Sequence, residues 1–446
     1  MVVFIMRDMK IYRLLLFMLS ALFSLAVSAQ DDTWNGSLDI QGTKLPLVFH
    51  FGTDGCTMDS PSQGAKGIPA VKDTTADGSV RVSVPAIGAI FVGKKVGNNI
   101  NGTFTQNGMA LPLVLTPGAP AVNRPQTPVP PFPYTEEEVT FVNDGFTFGG
   151  TLVKPAHCDK NTPVVLMITG SGLQNRDEEI FEHKPFAVIA DALARQGVAS
   201  LRYDDRGYGM EGFKGETFTT TDFMHDAQAA MKLLRKQFNK VGILGHSEGG
   251  TIALMMASEG EPDFVVTLAA MAVSGKETLV EQNRIGISAM GLPDNLVKTY
   301  SGVVEKALDA LAAGKSIEDI SMEGVPGNFK PVLEAALKPC DTPYFRHFLN
   351  IDVRKSLGKV KCPVLALNGT MDKQVNCEQN MGALKEGLTN CNSQTKTFEG
   401  LNHLFQHCTT GSVVEYQQIE ETISPEVLQT IVDWVKTIKA GSKNYL

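Results

Sequence analysis

The sequence predicts an α/β fold with a parallel sheet, preceded by a small all-β domain. After residue 135, short apolar segments alternate with segments of helical length. The apolar segments are hydrophobic along their whole length, which is typical of parallel strands that helices cover on both faces. Before residue 116, short strand patterns are separated by Gly, Asn and Asp, which is typical of an antiparallel β domain.

The all-β domain is predicted to span residues 30–115. The pattern of residues 35–48 recurs 66 positions later, in residues 101–114. Each copy is predicted to form a hairpin, with turns at Gln41-Gly42 and Asn107-Gly108, because these dipeptides tolerate the positive φ of tight turns. We expect one compact sandwich or barrel in which the two hairpins pair or pack together. The strands predicted in this domain are residues 45–51, 79–84, 89–92, 101–105 and 111–115.

A proline-rich segment follows the all-β domain. Residues 116–134 contain seven prolines in nineteen positions, which predicts a semi-rigid, extended linker. The composition also changes here, because no glutamate occurs between residues 30 and 135 and three consecutive glutamates occupy residues 136–138. We therefore assign residues 135–446 to the α/β domain.

Strands and helices alternate in the α/β domain, with one long interruption. Residues 274–354 have helical periodicity and no clear strand, so we predict a helical cap inserted into the fold. The predicted strands are residues 163–169, 198–203, 240–245, 264–270, 363–368 and 395–398. The predicted helices outside the cap are residues 186–196, 221–238, 247–258, a helix that ends at residue 387, and residues 427–440.

The first 29 residues are predicted to be a signal peptide. Arg7, Lys10 and Arg13 precede an apolar run at residues 14–27, and small residues follow it at Ser28 and Ala29. The run is shorter than the roughly 20 residues that a membrane-spanning helix needs. An uncleaved anchor is the alternative. We expect an exported protein, periplasmic or secreted, with no stable membrane span after the signal is removed.

Charge and cysteine content exclude two classes of function. The chain has 40 Lys+Arg against 48 Asp+Glu, a formal net charge of -8 and no basic block, which argues against a dedicated nucleic-acid binder. Its seven cysteines are odd in number and lack the spacing of a metal site. Cys377 and Cys391 bracket a predicted helix that would span about 21 Å, so a disulfide between them is not expected.

The clearest chemical motif is a GxSxG sequence formed by Gly245, Ser247 and Gly249. An apolar strand precedes the motif and a helix-forming segment follows it, as a nucleophile elbow requires. In such an elbow the serine occupies a strained turn, and only small residues two positions to either side let strand and helix approach so closely. We therefore predict that Ser247 is a catalytic nucleophile.

A nucleophilic serine needs a base and an acid that orients the base. Asp372 follows the predicted strand at residues 363–368, and His403 lies in the loop after the last predicted strand. These positions give the chain order serine, acid, histidine, and we predict that the three residues form a catalytic triad. The competing candidates are His183, His225, His347, His407 and, for the acid, Asp352.

The triad chemistry also requires two backbone donors for an oxyanion. One is predicted to be the N–H of Glu248, the residue after the nucleophile. The other is expected from the loop that follows the strand at residues 163–169. We choose Ser171 in that loop, with Leu173 as the alternative.

Five motifs occur along the chain: TGSGLQNRDE, LRYDDRGYG, GHSEGG, CPVLALNGTMDKQV and GLNHLFQ. These motifs and their order resemble those of exported bacterial serine esterases of the α/β-hydrolase superfamily, which are often grouped with serine aminopeptidase-like hydrolases. The resemblance covers residue 135 to the C-terminus, and the oxyanion loop departs from it by lacking the HG of many lipases. The resemblance implies an α/β-hydrolase fold with a helical cap, hydrolysis of small-molecule carboxylic esters, and no metal or organic cofactor.

Two alternatives to a short-chain esterase remain at this point. An aminopeptidase or amidase could use the same triad and recognise a substrate amine with Asp177, Glu178 and Glu179, unless Arg176 or Arg206 neutralises this run. An inert hydrolase fold in an envelope- or glycan-binding protein is the second alternative. The residues that could line an acyl pocket are Met271, Met290, Leu292, Leu296 and Met322, although at helical spacing such residues are equally expected in the core.

Overall fold

The computed structural model describes residues 32–40, 43–52, 55–61, 65–106, 108–118, 123–289, 293–316, 320, 337–390 and 392–438. The predicted signal peptide lies outside these ranges, as do Met290, Leu292, Met322 and Cys391. Contacts within the described ranges divide the chain into two units. One contains the residues up to Asn123 together with Val413–Glu420, and the other contains Arg124–Ser412 and the chain from Glu421 onward.

The N-terminal unit is a closed, antiparallel eight-stranded barrel. The barrel closes where β1 pairs with β8, with Asn35 opposite Thr116, so the two related hairpins pair as predicted. Buried side chains such as Phe49 and Phe91 fill its interior. The strands are β1 (Asp32–Ile40), β2 (Thr43–Phe51), β3 (Cys56–Ser60), β4 (Ala65–Thr74), β5 (Val80–Val84), β6 (Ala89–Val96), β7 (Asn99–Gln106) and β8 (Met109–Pro117).

The second unit contains an eight-stranded sheet in the order β16-β15-β14-β13-β11-β12-β10-β9. β11 to β16 run parallel, whereas β9 and β10 form an antiparallel hairpin whose second strand pairs with β12. The strands are β9 (Tyr134–Asn143), β10 (Phe146–Pro155), β11 (Val164–Ile168), β12 (Ala199–Tyr203), β13 (Val241–His246), β14 (Val265–Leu268), β15 (Val364–Gly369) and β16 (Gln394–Phe398).

Helices cover both faces of this sheet. A buried cluster on one face includes Met231, Ile252 and Leu384, and a second cluster on the other face includes Phe186 and Val432. The helices are α1 (Pro185–Arg195), α2 (Thr220–Arg235), α3 (Glu248–Ser258), α4 (Gly275–Ala289), α5 (Asp294–Ala312), α6 (Pro343–Asn350), α7 (Arg354–Leu357), α8 (Cys377–Gly387) and α9 (Pro425–Thr437).

This arrangement is the α/β-hydrolase fold, and it confirms the predicted fold class. The described part of the predicted cap is helical, with α4, α5 and α6 between β14 and β15. The β9–β10 hairpin and strands β3 and β4 were not predicted. β4 lacks alternation between apolar and polar residues. The three glutamates of β9 are typical of a solvent-exposed segment and do not indicate a strand.

No helix in the described ranges is long and apolar enough to cross a membrane. Cys56, Cys158, Cys340, Cys362 and Cys377 are free thiols in the structure.

Candidate active site

Ser247 lies in a sharp turn between β13 and α3. Its φ of 52° and ψ of -119° place a non-glycine residue in a sparsely populated backbone region. A Cβ on Gly245 would lie 2.1 Å from the carbonyl oxygen of Gly249, and a Cβ on Gly249 would lie 2.1 Å from that of Ile168. Only glycine fits at either position. The turn thus holds Ser247 at the N-terminal end of α3, as the GxSxG motif predicts.

His403 and Asp372 form a buried pair. His403 Nδ1 lies 2.7 Å from Asp372 Oδ2, and both side chains are almost fully enclosed. The second carboxylate oxygen of Asp372 accepts hydrogen bonds from the backbone N–H groups of Gln374 (2.8 Å) and Val375 (2.9 Å). Since a carboxylate only accepts, Nδ1 carries the proton and Nε2 is left to accept one. The imidazole is therefore in the tautomer that a general base requires.

The loop that carries His403 is fixed by its neighbours. Asn402 Oδ1 accepts the backbone N–H groups of Leu404 and Gln406, both at 3.0 Å, and Asn402 Nδ2 donates to Gln406 Oε1 at 2.9 Å. Gln406 Nε2 in turn lies 3.1 Å from His183 Nε2. His183, one of the competing histidines, is thus a buried part of this support.

The other competing residues have partners of their own. His347 Nε2 lies 3.0 Å from Thr221 Oγ1, and His407 Nδ1 lies 2.8 Å from Glu421 Oε1 on the surface. His225 lies within α2, and Asp352 accepts hydrogen bonds from Arg354. Among all the candidate acids and histidines, the structure places Asp372 and His403 in contact.

His246, the residue before Ser247, was not singled out from the sequence. Its Nε2 donates to the backbone oxygen of His403 at 3.1 Å, and its Nδ1 donates to Glu178 Oε1 at 2.9 Å. Burial lowers the pKa of His246, but the charge and hydrogen bond of Glu178 outweigh this effect, and the pKa is raised. Glu178 Oε1 also accepts the N–H of Gly170 at 2.6 Å. Glu178 and His246 together thereby link the elbow, the His403 loop and the loop after β11.

The loop after β11 approaches the elbow closely. A Cβ on Gly170 would lie 3.3 Å from the Cβ of Ser247. Among the residues that the structure describes, no acceptor is bonded to the backbone N–H of Ser171 or to that of Glu248. Leu173, the alternative to Ser171, packs against Gly215. A cavity of about 20 Å³, which is the size of one water molecule, adjoins this loop and is lined by residues that include Gly170, Gly172, Asp205, Phe223 and Glu248.

The acidic run after this loop is neutralised internally. Asp177 pairs with Arg202, and Glu179 Oε2 lies 3.5 Å from Lys184 Nζ. The expectation that Arg176 or Arg206 neutralises the run is wrong, because both arginines pair elsewhere. Arg176 binds Glu138 and Asp204, and Arg206 binds Asp226.

The cap helix α6 lies against the first residue of α3. The buried carboxylate of Glu248 accepts Thr220 Oγ1 at 2.5 Å with one oxygen and the hydroxyl of Tyr344 with the other. Burial raises the pKa of Glu248 and raises that of Tyr344 well above its usual value. No sequence pattern singles out Tyr344, since a tyrosine on an amphipathic helix is expected in the core.

Of the candidate acyl-pocket residues, Met271 and Leu296 lie in the described ranges. Met271 is buried against Phe348 and Val375, whereas Leu296 is 39% exposed. Neither position identifies an acyl pocket. Within the described residues, no cluster of three or more His, Cys, Asp or Glu side chains could hold a metal ion.

Comparisons with known proteins point to serine hydrolases. Residues 182–314 match the family model described as "Serine aminopeptidase, S33". The chain is 29% identical over 277 residues to Esterase EstD of Thermotoga maritima, and 29% identical over 195 residues to the mouse (Mus musculus) serine hydrolase BPHL. The first alignment covers 61% of this chain and 62% of the esterase. The second covers 43% of this chain and 59% of the mouse protein.

Among solved structures, Est1E from Butyrivibrio proteoclasticus is similar to this chain, with a TM-score of 0.43 and 17% sequence identity. The match covers 68% of this chain and 98% of Est1E. The chain spans about three fifths of the length of the two curated relatives.

Proposed function

We propose that this chain is a serine hydrolase that cleaves carboxylic esters through an acyl-enzyme on Ser247. The observation that carries the proposal is the buried 2.7 Å contact between His403 Nδ1 and Asp372 Oδ2. This contact orients His403 as a base, and the same domain presents Ser247 in a strained turn. The likeness to Esterase EstD supports an ester as the substrate.

In this mechanism His403 Nε2 takes the proton of Ser247 as the serine oxygen attacks the ester carbonyl carbon. Asp372 holds the imidazole in its tautomer and stabilises the cation that forms. The backbone N–H groups of Glu248 and Ser171 bind the oxyanion of the tetrahedral intermediate. The alcohol leaves with the proton from His403. Water then attacks the acyl-enzyme with the same histidine as base, and the carboxylic acid is released.

An ester substrate is favoured over a peptide with a free amino terminus. Recognition of a substrate ammonium would need an unpaired carboxylate near the nucleophile, as in the aminopeptidase alternative. Asp177, Glu178 and Glu179 all have internal partners: Arg202, His246 and Lys184 respectively. We propose short acyl chains because the cavity beside Gly170 and Glu248, of about 20 Å³, offers little room for a long one.

We further propose that residues 1–29 are a signal peptide and that the enzyme acts in the periplasm or is secreted. The support is the sequence pattern of basic residues, apolar run and small residues described above. The proposed partner is a small-molecule ester and not nucleic acid.

A substrate panel tests this function. Purified protein should hydrolyse p-nitrophenyl acetate and butyrate faster than p-nitrophenyl palmitate, and should not release p-nitroaniline from aminoacyl-p-nitroanilides. The family description "Serine aminopeptidase, S33" makes the anilides the decisive comparison. Cleavage of anilides without ester turnover would show that the alternative, an aminopeptidase on the same triad, is correct.

A further inference from the structure

Asp205 contacts the loop after β11 at two points. Its Oδ1 lies 2.9 Å from Oγ1 of Thr169, the first residue after the strand, and its Oδ2 accepts the backbone N–H of Gln174 at 2.8 Å. The backbone N–H of Asp205 also donates to the carbonyl oxygen of Gln174 at 3.1 Å. One residue thus spans the segment that contains Ser171, to which the second oxyanion donor is assigned.

Gln174 carries this restraint to Ser171. Its side-chain Nε2 donates to the backbone oxygen of Ser171 at 3.3 Å. On the other side of Ser171, the N–H of Gly170 donates to Glu178 Oε1 at 2.6 Å. The backbone of Ser171 is therefore held from both directions, and Gln174, which holds it from one of them, is itself held by Asp205.

The sheet places Asp205 beside this loop. β11 and β12 are parallel neighbours, so the loops that follow them leave the same edge of the sheet. Asp204, the residue after β12, donates its backbone N–H to the carbonyl oxygen of Gly149 in β10 at 3.0 Å. The start of the loop that carries Asp205 is thus fixed to the sheet independently of Gln174.

Asp205 also borders the water-sized cavity, together with Gly170 and Glu248. Burial raises the pKa of Asp205 well above its usual value, although the N–H of Gln174 and the hydroxyl of Thr169 act in the opposite direction. A carboxyl group that keeps its proton has one accepting and one donating oxygen, much as the amide of asparagine has one acceptor and one donor atom. The replacement Asp205→Asn can therefore keep both contacts.

We propose that Asp205 is a positioning residue that holds the backbone N–H of Ser171 in place for the oxyanion. The inference rests on the proposed function, because that function assigns this N–H to the oxyanion. It deepens the function by giving the loop after β12 a part in the chemical step. Without the carboxyl group, the segment from Gly170 to Gln174 is free to shift relative to Ser247. A shift of about 1 Å in such a site can cost on the order of 100-fold in rate.

The test compares Asp205→Ala with Asp205→Asn in the full-length protein. We expect Asp205→Ala to lower kcat for p-nitrophenyl butyrate by roughly 10- to 100-fold with little change in KM. It should also raise the inhibition constant of a trifluoromethyl ketone, whose adduct carries an oxyanion, by a similar factor. Asp205→Asn should keep both values within a few-fold of the wild type, because it keeps both contacts with the loop.

Asp263→Ala is the matched control for a loss of folding stability. Asp263 Oδ2 also accepts a backbone N–H, that of Val241 at 2.7 Å, but it does so where β13 begins, whereas Ser247 follows the end of that strand. This variant removes a carboxylate that holds a backbone segment at the other end of the strand from the elbow. Its kcat and inhibition constant should match those of the wild type, even where its unfolding temperature falls.

A second pair of variants covers the possibility that Asp205→Ala folds poorly. Thr169→Val removes the hydroxyl that contacts Asp205, whereas Thr169→Ser keeps it. We expect Thr169→Val to lower kcat several-fold and Thr169→Ser to behave like the wild type. Combining Thr169→Val with Asp205→Ala should cost less than the product of the two single losses, because both remove the same contact. Thermal unfolding of each variant establishes that it is folded.

These variants separate failure of the inference from failure of the proposed function. Equal kcat values for Asp205→Ala and the wild type would overturn the inference, and so would equal losses in Asp205→Ala and Asp205→Asn. An increase in KM alone would also contradict it, because Asp205 would then be a contact for the substrate. If Asp205→Ala is unfolded, an unchanged kcat in folded Thr169→Val overturns the inference. A wild-type protein with no ester turnover would instead refute the proposed function.

Discussion

His403 Nδ1 lies 2.7 Å from Asp372 Oδ2, and the two residues follow neighbouring parallel strands, β16 and β15. Parallel strands bring their carboxyl ends to one edge of a sheet, so the loops after β13, β15 and β16 meet there. Asp372 and His403 therefore lie at the same edge of the sheet as Ser247, although they are 125 and 156 positions after it in the chain. The contact also fixes which imidazole nitrogen accepts a proton.

Replacing Asp372 with Asn should abolish most activity without unfolding the site. The Asn oxygen can keep the hydrogen bonds from the backbone of Gln374 and Val375, while the amide nitrogen faces His403 Nδ1. This amide donates where the carboxylate accepted, which forces the proton onto Nε2. We expect kcat to fall by about 10⁴-fold. Steady-state kinetics on p-nitrophenyl butyrate measure the effect.

Asp352→Asn is the matched control for this prediction. Asp352 pairs with Arg354, and its replacement should leave kcat within a few-fold of the wild type. A large loss in Asp352→Asn and none in Asp372→Asn would show that the orienting acid has been misassigned.

Glu178→Gln should slow catalysis by disturbing two loops at once. Glu178 Oε1 accepts both the N–H of Gly170 and the Nδ1–H of His246, and an amide cannot hold the charged form of His246 as a carboxylate does. We expect a loss of roughly 10-fold in kcat and a lower unfolding temperature, because a buried hydrogen bond to a charged group is weakened. Kinetics and thermal unfolding check the two parts.

The neighbouring variant Glu179→Gln provides the comparison for Glu178→Gln. Glu179 is exposed and pairs loosely with Lys184, so its replacement should change neither measurement. If the two variants behave alike, Glu178 has no positioning role.

Glu248 should make the free energy of unfolding depend on pH. Burial raises its pKa above the ordinary value of 4.5, so between 4.5 and the folded pKa the native chain keeps a proton that the unfolded chain has released. The contribution of Glu248 to stability is therefore largest below pH 4.5 and decreases as pH rises through this interval, by up to about 1.4 kcal/mol per pH unit.

Urea unfolding of the wild type and Glu248→Gln at pH 5, 6 and 7 measures this dependence. The difference in free energy, variant minus wild type, should increase with pH because the amide introduced by the substitution has no proton to lose. Glu386→Gln, at an exposed position on α8, should show no such trend. A difference that stays constant with pH would contradict the effect of burial on Glu248.

The parts of the fold that the sequence predicts best are those in which one physical requirement dominates. The parallel strands β11 and β13 are fully buried and therefore almost continuously apolar, and the two elbow positions require glycine because an added Cβ would lie 2.1 Å from a backbone oxygen. Ser247 could be proposed as the nucleophile from this local pattern alone. Asp372 and His403 could be proposed because each follows a predicted strand in the right chain order.

Other features depend on contacts between distant parts of the chain. The sequence of β9 is typical of a charged segment. It forms a strand because it pairs with β10 and because its Glu138 forms an ion pair with Arg176. His246 has a role only because Glu178 and the backbone of His403 reach it from separate loops. These contacts join residues that are far apart in the chain, so they produce no periodic pattern in the sequence.

Ser247→Ala is the most direct test of the account. If Ser247 is the nucleophile of a triad with His403 and Asp372, its replacement should lower turnover of p-nitrophenyl butyrate by up to roughly 10⁶-fold and abolish covalent labelling by a fluorophosphonate. Ser258→Ala, at the other end of α3, should be labelled and active like the wild type. Undiminished turnover in folded Ser247→Ala would contradict the assignment of Ser247 and the mechanism built on it.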